Sequence, residues 1–343
     1  MKSNSSNPKK LWRSVSTILG EPAKQSANLS TFSASDFLEF LEQKVESVRS
    51  DTAGSAPPSF SSTTCTFASF SLCSQELVWK VIGGAASKSC ELDPAPTFLI
   101  KEFLEILLPF LTRLCNASLQ EGRLPSSQTT AIVTPALKKP CLDPSDMKNY
   151  RPISNLSFMS KVVERIVVRQ LSKYFTANSL LPKFQSGFRR HHSTESALLR
   201  VLSDILSATD RGEVSLLALL DVSAAFDTVD HSILLDRLSI SYGLSGSAFD
   251  WMQSFIVGRT QTVHYGGSVS RRAQLRSGIA QGSVLGPILY VLYTADIQKL
   301  VESFGFRVHL YADDTQFHDS CRSSDAAVLA ARASMCVIEA VRD

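Results

Sequence analysis

Residues 309–318 read HLYADDTQFH, and two adjacent carboxylates, Asp313 and Asp314, interrupt a run of aliphatic and aromatic residues that favour a β-strand. One interpretation is a polar hairpin turn, because Asp side chains bond readily to nearby backbone amides. The other is a metal site, because adjacent like charges stay ionised most easily beside a hard divalent cation. These ten residues alone favour the turn, so the choice depends on the rest of the chain.

Length and composition describe a folded protein. The 343 residues are 44% hydrophobic and 20% charged, which suits one large domain or two ordinary ones and not a disordered chain. The most apolar stretch, 98–115, is interrupted by charges and follows helical spacing, which predicts a core-facing helix kinked at Pro109. Neither a signal peptide nor a membrane span is predicted. Seven scattered cysteines without a CxxC pair suggest reduced thiols, and we expect a cytoplasmic or nuclear protein.

Charge is distributed unevenly along the chain. Residues 131–200 contain twelve Lys and Arg against four Asp and Glu, whereas residues 201–343 contain eleven against sixteen. The basic stretch could bind phosphates, and the acidic half could bind metal ions. A solvated helix face is an alternative for the basic stretch, since four of its cations recur at spacings of four residues between 161 and 173.

The chain divides into two parts by composition. Residues 1–95 are rich in Ser, Thr, Pro and Ala and are expected to form a partly disordered connector, with one amphipathic helix over 36–49 capped by Ser35. Residues 96–343 alternate between helical and strand patterns, which predicts an α+β domain. The predicted helices are 98–119, 157–174, 193–209, 231–242 and 288–297, and the predicted strands are 129–137, 215–222 and a pair around 311–314.

A third carboxylate, Asp221, ends the strand SLLALLDV at 215–222. This strand is apolar on both faces, which predicts a position in the middle of a sheet. A carboxylate at the end of a buried strand is costly unless it is paired or binds a metal. Nearby, Asp230 is predicted to cap a helix and Asp227 to lie on the surface. If Asp221 and the hairpin acids converge, they could hold two divalent ions.

The segment SGIAQGSVLGPILYVLYTADI, residues 277–297, lies between these acids. Gly278, Gly282 and Gly286 allow its backbone to approach a ligand or another segment closely. Pro287 suits the first turn of an apolar helix. Taken alone, the segment is a structural loop followed by a buried helix.

Three short stretches together carry a family resemblance. LLDVSAAFDTVDH (219–231), QGSVLGP (281–287) and YADD (311–314), in that order and spacing, resemble motifs A, B and C of reverse transcriptases. Upstream, three segments resemble the fingers and early palm of the enzymes of non-LTR (LINE-type) retrotransposons. These segments are 129–140, 146–167 and 184–201. The resemblance covers roughly residues 100–343, and several ordered motifs are more specific than any one of them. It favours the metal site over the simple turn.

The resemblance implies a right-hand polymerase fold, with fingers and a palm whose antiparallel sheet is flanked by helices. It also implies an RNA-directed DNA polymerase in which a primer 3′-hydroxyl attacks the α-phosphate of a deoxynucleotide. Asp221 and Asp313 would hold two Mg²⁺ ions, with Mn²⁺ as a possible substitute. Asp314 would be the supporting third acid, and the Val222 carbonyl would be a further ligand.

Residues that bind substrates are implied in the same way. Phe226 matches the side chain that blocks a ribose 2′-hydroxyl, although a core Phe is an alternative. Gln281 and Gly282 would line the pocket for the incoming base and template. Arg151 would meet the triphosphate, and Lys138 would contact either template phosphates or solvent only. The implied partners are an RNA template, touched by residues 189–192, a DNA primer and a deoxynucleotide, with no membrane.

The sequence also departs from the family. No segment after Asp314 resembles a primer grip or thumb, and no endonuclease or zinc knuckle is recognised, so we expect a piece truncated before the thumb that polymerises poorly. A catalytically inactive remnant that still binds nucleic acid is the main alternative, but the three retained acids argue against it. A nucleotide cyclase would share two-metal carboxylates, and NYRPIS (149–154) and QGSVLGP argue against that interpretation.

Overall fold

Two β-sheets flanked by helices form a mixed α/β fold in the computed structural model, which describes residues 32–52, 54, 58–88, 90–189, 192–221 and 225–342. The helices are α1 (Ala34–Asp51), α2 (Gln75–Gly83), α3 (Thr97–Glu102), α4 (Leu104–Gln120), α5 (Phe158–Ala177), α6 (Thr194–Asp210), α7 (His231–Ile240), α8 (Gly246–Ile256), α9 (Gly286–Tyr293), α10 (Ile297–Ser303) and α11 (Ala326–Arg342). The strands are β1 (Thr130–Leu137), β2 (Tyr150–Asn155), β3 (Val214–Leu220), β4 (Thr260–Tyr265), β5 (Ser268–Val269), β6 (Ala273–Gln274), β7 (Arg307–Tyr311) and β8 (Asp314–Cys321).

The first sheet is antiparallel, in the order β3-β8-β7. The prediction that β3 lies in the middle of a sheet is therefore wrong, because β8 occupies the centre and β3 an edge. Alternate residues of β3 pack into a core with β7, β8 and α11, whereas Leu217 and Leu219 remain 43% and 69% exposed. Apolar residues on both faces of a strand do not guarantee burial, because an antiparallel sheet can pack one face on the core and leave the other to solvent.

The second sheet joins β2, β1 and β4 in that order, with β5 and β6 both paired to β4. β1 runs antiparallel to β2 and parallel to β4. Helix α1 packs on this sheet through Phe37, whose ring makes edge contacts with Tyr150 and Tyr265 at centroid distances of 5.0 and 4.6 Å. The Ala34 amide also donates to Ser268 Oγ at 2.9 Å. Helix α1 is thus fixed against the second sheet at both its backbone and its apolar face.

Three predicted helix boundaries need correction. The N-cap of α1 is Ser33, which forms a capping box with Asp36, since Ser33 has an extended backbone and Ser35 is already helical. The 98–119 helix is interrupted at Phe103, while Pro109 lies within α4. Helix α9 ends at Tyr293 instead of Ile297, and the hydroxyl of the next residue, Thr294, donates to the Tyr290 carbonyl.

Other local predictions are confirmed. Helices α5 and α6 begin after Ser157 and Ser193, and each of these serines accepts a backbone amide of the first turn. Asp230 caps α7, accepting the amides of Ser232 and Ile233. The main core gathers helices from both halves of the chain, and the buried Trp251 indole donates to Ser118 Oγ at 2.9 Å. Within the described residues, none of the helices combines the length and apolarity that crossing a bilayer requires.

Candidate active site

The hairpin between β7 and β8 turns through Ala312 and Asp313. Tyr311 lies opposite Asp314 in the register, so the turn has two central residues. Ala312 has φ +57°, in the left-handed region that suits such turns but that residues with a Cβ adopt uncommonly. The predicted hairpin is confirmed, and its turn carries Asp313 at the tip.

The register brings Asp221 to the same end of the first sheet. Leu220, the last residue of β3, lies opposite Thr315, so Asp221 follows directly beside the first residue of β8. The pKa of Asp314 is raised, by burial first and then by the negative charges of Asp313 and Asp221. Among the described residues, no Lys, Arg or His forms an ion pair with any of these acids. We call Asp221, Asp313 and Asp314 the acid trio.

The acid trio fits magnesium in its chemistry. Its donors are carboxylate oxygens, the ligands that hard divalent cations prefer, and their negative charge has no basic partner in the described part of the chain. No three Asp, Glu, His or Cys side chains among the described residues are already grouped around one metal position. The carboxylates would therefore have to turn toward a common point to bind an ion. Val222, the further ligand implied by the sequence, lies outside the described residues.

Phe226 stacks on Tyr290 at a ring-centroid distance of 4.8 Å. Tyr290 lies in α9 and is 2% exposed. Its pKa is raised, by burial first and then by nearby negative charges that include all members of the acid trio. Tyr290 therefore lies close to the acids, and Phe226 covers it. Sequence reasoning missed Tyr290, because it is one apolar-helix residue among many.

The glycine-containing segment before α9 packs against the loop that follows β3. The amides of Gly278 and Ile279 donate to the carbonyls of Val229 and Phe226, both at 2.7 Å. A Cβ on Gly278, which has φ +83°, would lie 2.6 Å from the Asp227 carbonyl oxygen. The close backbone approach expected of these glycines is thus made to another segment of the same chain.

Gln281 and Gly282 contact the second sheet. The Ser154 amide donates to the Gln281 carbonyl at 2.7 Å, and a Cβ on Gly282 would lie 2.6 Å from the Ser154 carbonyl oxygen. The side chain of Gln281 donates from Nε2 to Asp227 Oδ1 at 2.9 Å. The surface position predicted for Asp227 is wrong: burial raises its pKa, against the opposing effects of Lys44 and Gln281.

A buried carboxylate that the sequence did not reveal supports the same turn. Glu164 is fully buried on α5, and its Oε2 accepts the amides of Val284 at 2.6 Å and Leu285 at 3.2 Å. Its Oε1 accepts the Ser160 hydroxyl at 2.9 Å. Burial raises the pKa of Glu164, and the charge of Arg259 opposes that shift. In the sequence Glu164 stands among helix cations, so only its contacts across the fold reveal this role.

Arg151 and Lys138 lie on the hairpin of β1 and β2, and both side chains are exposed. The backbone amide of Lys138 donates to the Asn149 carbonyl at 2.8 Å. The exposed side chain of Lys138 is accessible to solvent or to a ligand. Neither side chain contacts the acid trio. Of the residues expected to touch a template, Arg189 binds the Pro182 and Gln185 carbonyls, and residues 190 and 191 lie outside the described residues.

A cleft of about 750 Å³ opens between α1, β6 and the segment that carries Gln281. Four arginines line part of its wall, namely Arg49, Arg271, Arg272 and Arg276, and so do the carboxylates of Glu42, Glu46 and Asp227. Two of the arginines are ion-paired, Arg271 with Glu42 at 2.6 Å and Arg49 with Asp230 at 3.4 Å. The other two, Arg272 and Arg276, could contact a phosphate-bearing ligand.

Comparisons with known proteins agree with these features. The family described as "Reverse transcriptase (RNA-dependent DNA polymerase)" matches residues 137–335. The chain is 34% identical over 212 residues to an RNA-directed DNA polymerase from mobile element jockey of Drosophila funebris, covering 60% of this chain and 23% of that protein. It is also 34% identical over 207 residues to a probable RNA-directed DNA polymerase from transposon X-element of Drosophila melanogaster, covering 60% and 22%. It is 31% identical over 176 residues to a Pol polyprotein of the retrotransposable element R2 of Popillia japonica, covering 50% and 23%. The chain spans less than a quarter of the length of these relatives.

Proposed function

Because this chain belongs to the reverse transcriptase (RNA-dependent DNA polymerase) family, we propose that it carries the nucleotidyl-transfer site of a non-LTR retrotransposon polymerase. The observation that carries the proposal is the convergence of Asp221, Asp313 and Asp314 at one end of the first sheet. In this proposal the first sheet is the palm, and the second sheet, with its exposed β1–β2 hairpin, belongs to the fingers.

The acid trio would hold two divalent ions, Mg²⁺ or Mn²⁺. When bound, such ions supply charge neutralisation at the reacting phosphate and lower the pKa of the attacking hydroxyl. The carboxylates themselves orient the ions, and the edge position of β3 leaves Asp221 exposed to solvent and therefore accessible to substrate. The buried ring of Tyr290 lies close enough to the acids for their charges to raise its pKa. The Val222 carbonyl is a further ligand in this proposal.

Four further residues would bind the deoxynucleotide. Phe226, stacked on Tyr290 next to the acids, would exclude a ribose 2′-hydroxyl by its bulk. Gln281 and Gly282, fixed to Ser154, would form the wall for the base and the template. Arg151 has an exposed guanidinium, which suits bidentate contact with a triphosphate.

The RNA template would be held through its phosphates and 2′-hydroxyls and not by sequence readout. Gln281 is one of the residues that line the cleft, so a strand bound there would lie beside the proposed base pocket. Lys138 on the neighbouring hairpin would add a further phosphate contact. The DNA primer would present its 3′-hydroxyl to the acid trio.

The test is incorporation of a labelled deoxynucleotide onto a DNA primer annealed to an RNA template, with and without Mg²⁺. We compare the chain with the Asp313→Ala, Asp314→Ala double variant, and with Asp325→Ala as the control, since Asp325 is an exposed acid that follows β8. Incorporation that the double variant loses and Asp325→Ala keeps would support the proposal.

The competing function is a remnant that binds nucleic acid without catalysis. Salt-sensitive binding of the RNA–DNA duplex without any Mg²⁺-dependent incorporation would favour it over polymerase activity. Equal incorporation by the chain and the double variant would contradict the role given to the acid trio.

A further inference from the structure

The side chain of Gln185 forms hydrogen bonds to the backbone of the hairpin turn that carries Asp313. Its side chain is 1% exposed. Oε1 accepts the Ala312 amide at 3.0 Å, and Nε2 donates to the Ala312 carbonyl at 3.2 Å. One amide side chain therefore satisfies both the backbone N–H and the backbone C=O of a single residue that lies 127 positions away in sequence. We call this pair of hydrogen bonds the clamp.

Ala312, which accepts and donates these hydrogen bonds, has an unfavourable backbone conformation. Ala312 has φ +57°, where the Cβ of an L-residue is crowded and where Gly is preferred. Such a conformation persists only where the surrounding contacts enforce it. The two hydrogen bonds from Gln185 are contacts of that kind, because they bind the peptide groups on both sides of the Ala312 Cα.

The backbone on either side of Gln185 also contacts the strand and turn that carry Ala312. The Ser186 amide donates to the Leu310 carbonyl at 2.8 Å, and the Leu310 amide donates to the Phe184 carbonyl at 2.9 Å, so the segment extends the edge of β7. Gly187 allows the final approach, since a Cβ there would lie 2.1 Å from the Ala312 nitrogen. The Gly187 amide also donates to Gln185 Oε1 at 2.7 Å, which fixes the orientation of the side-chain amide.

We propose that Gln185 is a positioning residue for catalysis, because it holds Ala312 in the left-handed conformation that keeps Asp313 at the same end of the first sheet as Asp221. The inference rests on the proposed function only for the role of Asp313. That the clamp holds the turn in place is a separate claim, and it can be tested without measuring nucleotide incorporation. Gln185 touches neither substrate nor metal in this scheme and acts through the turn.

The test compares Gln185→Ala with a matched control on the same chain. Gln170 on α5 makes the same kind of clamp, accepting the Ser71 amide at 2.8 Å and donating to the Ser71 carbonyl at 2.9 Å. Gln170→Ala therefore removes a pair of hydrogen bonds of the same geometry, at a more exposed position far from the acids in sequence. A third variant, Ala312→Gly, removes the crowding at positive φ, and the double variant Gln185→Ala, Ala312→Gly tests whether that change replaces the clamp.

The first measurement is amide hydrogen exchange in the peptide that covers residues 310–314. Gln185→Ala should accelerate exchange there by about tenfold, the consequence of losing two part-buried hydrogen bonds, and Gln170→Ala should leave that peptide unchanged. The double variant should recover part of the protection. Unchanged exchange at 310–314 in Gln185→Ala, or no recovery with Ala312→Gly, would overturn the clamp.

The second measurement is Mn²⁺ binding, followed by water-proton relaxation, together with the Mg²⁺ dependence of incorporation. Gln185→Ala should weaken Mn²⁺ binding and raise the half-saturating Mg²⁺ concentration by several fold, while Gln170→Ala should change neither. Equal effects of Gln185→Ala and Gln170→Ala on Mn²⁺ binding would overturn the positioning role, because they would show that Gln185 contributes only to the stability of the fold. If the unaltered chain incorporates no nucleotide, the proposed function fails, yet the exchange and Mn²⁺ measurements still decide the clamp.

Discussion

Gln281 donates a hydrogen bond from Nε2 to Asp227 Oδ1 at 2.9 Å, joining segments 54 residues apart. The carbonyl of the same residue accepts the Ser154 amide of the second sheet. Gln281 is therefore the point at which the loop after β3, the turn before α9 and the second sheet meet. A base or template strand that used the Gln281 amide would have to compete with Asp227 for it, which makes this pair sensitive to ligands.

Replacing Asp227 by Asn should stabilise the protein at neutral pH. Burial raises the pKa of Asp227 above its ordinary value of 3.8, so its ionised form weakens the folded state. The penalty is absent below pH 3.8, grows as the pH rises from 3.8 to the raised pKa, and stays constant above it. Asp227→Asn keeps an oxygen acceptor for Gln281, and its free energy of unfolding should exceed that of the unaltered chain at pH 7.

Urea unfolding at a series of pH values between 4 and 7 measures this difference. The advantage of Asp227→Asn should shrink as the pH falls toward 4. Asp236→Asn, at an exposed position of α7, serves as the control and should show no such trend. A constant difference across the pH range would mean that desolvation of Asp227 is not its cause.

Neutralising Asp314 should have opposite effects with and without divalent cations. Its pKa is raised by burial and by Asp313 and Asp221, so its charge opposes folding increasingly as the pH rises above 3.8. In a chelator at pH 7, Asp314→Asn should therefore raise the Tm by roughly 1–2 °C. Millimolar Mg²⁺ should raise the Tm of the unaltered chain, and the variant should respond less.

Calorimetric scans in chelator and in Mg²⁺ check this prediction, with Ca²⁺ as a second hard cation. The same Mg²⁺ response in both proteins would show that Asp314 does not help to hold the ion. A lower Tm for the variant in chelator would show that repulsion within the acid trio is not a destabilising force.

Shortening Phe226 should relax discrimination between the two sugar types. Phe226→Val removes a ring stacked at 4.8 Å on Tyr290 and opens space next to the acid trio. We expect the preference for deoxynucleotides over ribonucleotides to fall by roughly tenfold or more, since a site that rejects by bulk loses its selectivity when the bulk is removed. The loss of packing should cost about 1–2 kcal/mol of stability.

The ratio of kcat/KM for the two nucleotide types measures this effect. Phe249→Val, at another half-buried ring packed on the main core, provides a control for the loss of stability alone. An unchanged ratio in Phe226→Val would assign this ring to the core only, which is the alternative that the sequence left open.

Adding a methyl group at Gly282 should displace the turn from the second sheet. Gly282 has φ +120°, and an added Cβ would lie 2.6 Å from the Ser154 carbonyl oxygen. Gly282→Ala should lower the free energy of unfolding by about 2–3 kcal/mol and should raise the KM for the nucleotide. Gly267→Ala isolates the clash, because Gly267 also has positive φ, +80°, but nothing lies within 4 Å of its would-be Cβ.

Urea unfolding of the two glycine variants provides the comparison. Gly282→Ala should be the less stable by a clear margin. Equal losses would indicate that positive φ alone is responsible and that contact with Ser154 contributes little.

Much of the fold was predictable because the signals for it are local. Helices α5 and α6 were predicted over 157–174 and 193–209 from apolar periodicity, a feature that lies within one or two turns of the residues it controls, whereas the capping roles of Ser157 and Ser193 came from the structure. The β7–β8 hairpin was identified from strand-forming residues that flank an adjacent pair of acids. The interruption of the helix at Phe103 was not predicted, because proline was the only residue in 98–119 expected to disturb a helix and it lies at position 109.

By itself, the sequence determined the family, several of the longer helices and the strands that carry the acids, and the types of residue available at the site. Only the tertiary structure decided that β3 lies at an edge, that Asp227 is desolvated, and that Glu164 and Gln185 hold the two turns that carry Gln281 and Asp313. The reason is physical: burial and hydrogen-bond partnership depend on which distant segments pack together. Glu164 and Gln185 bind amides 120 and 127 positions away, and no local pattern encodes contacts of that range.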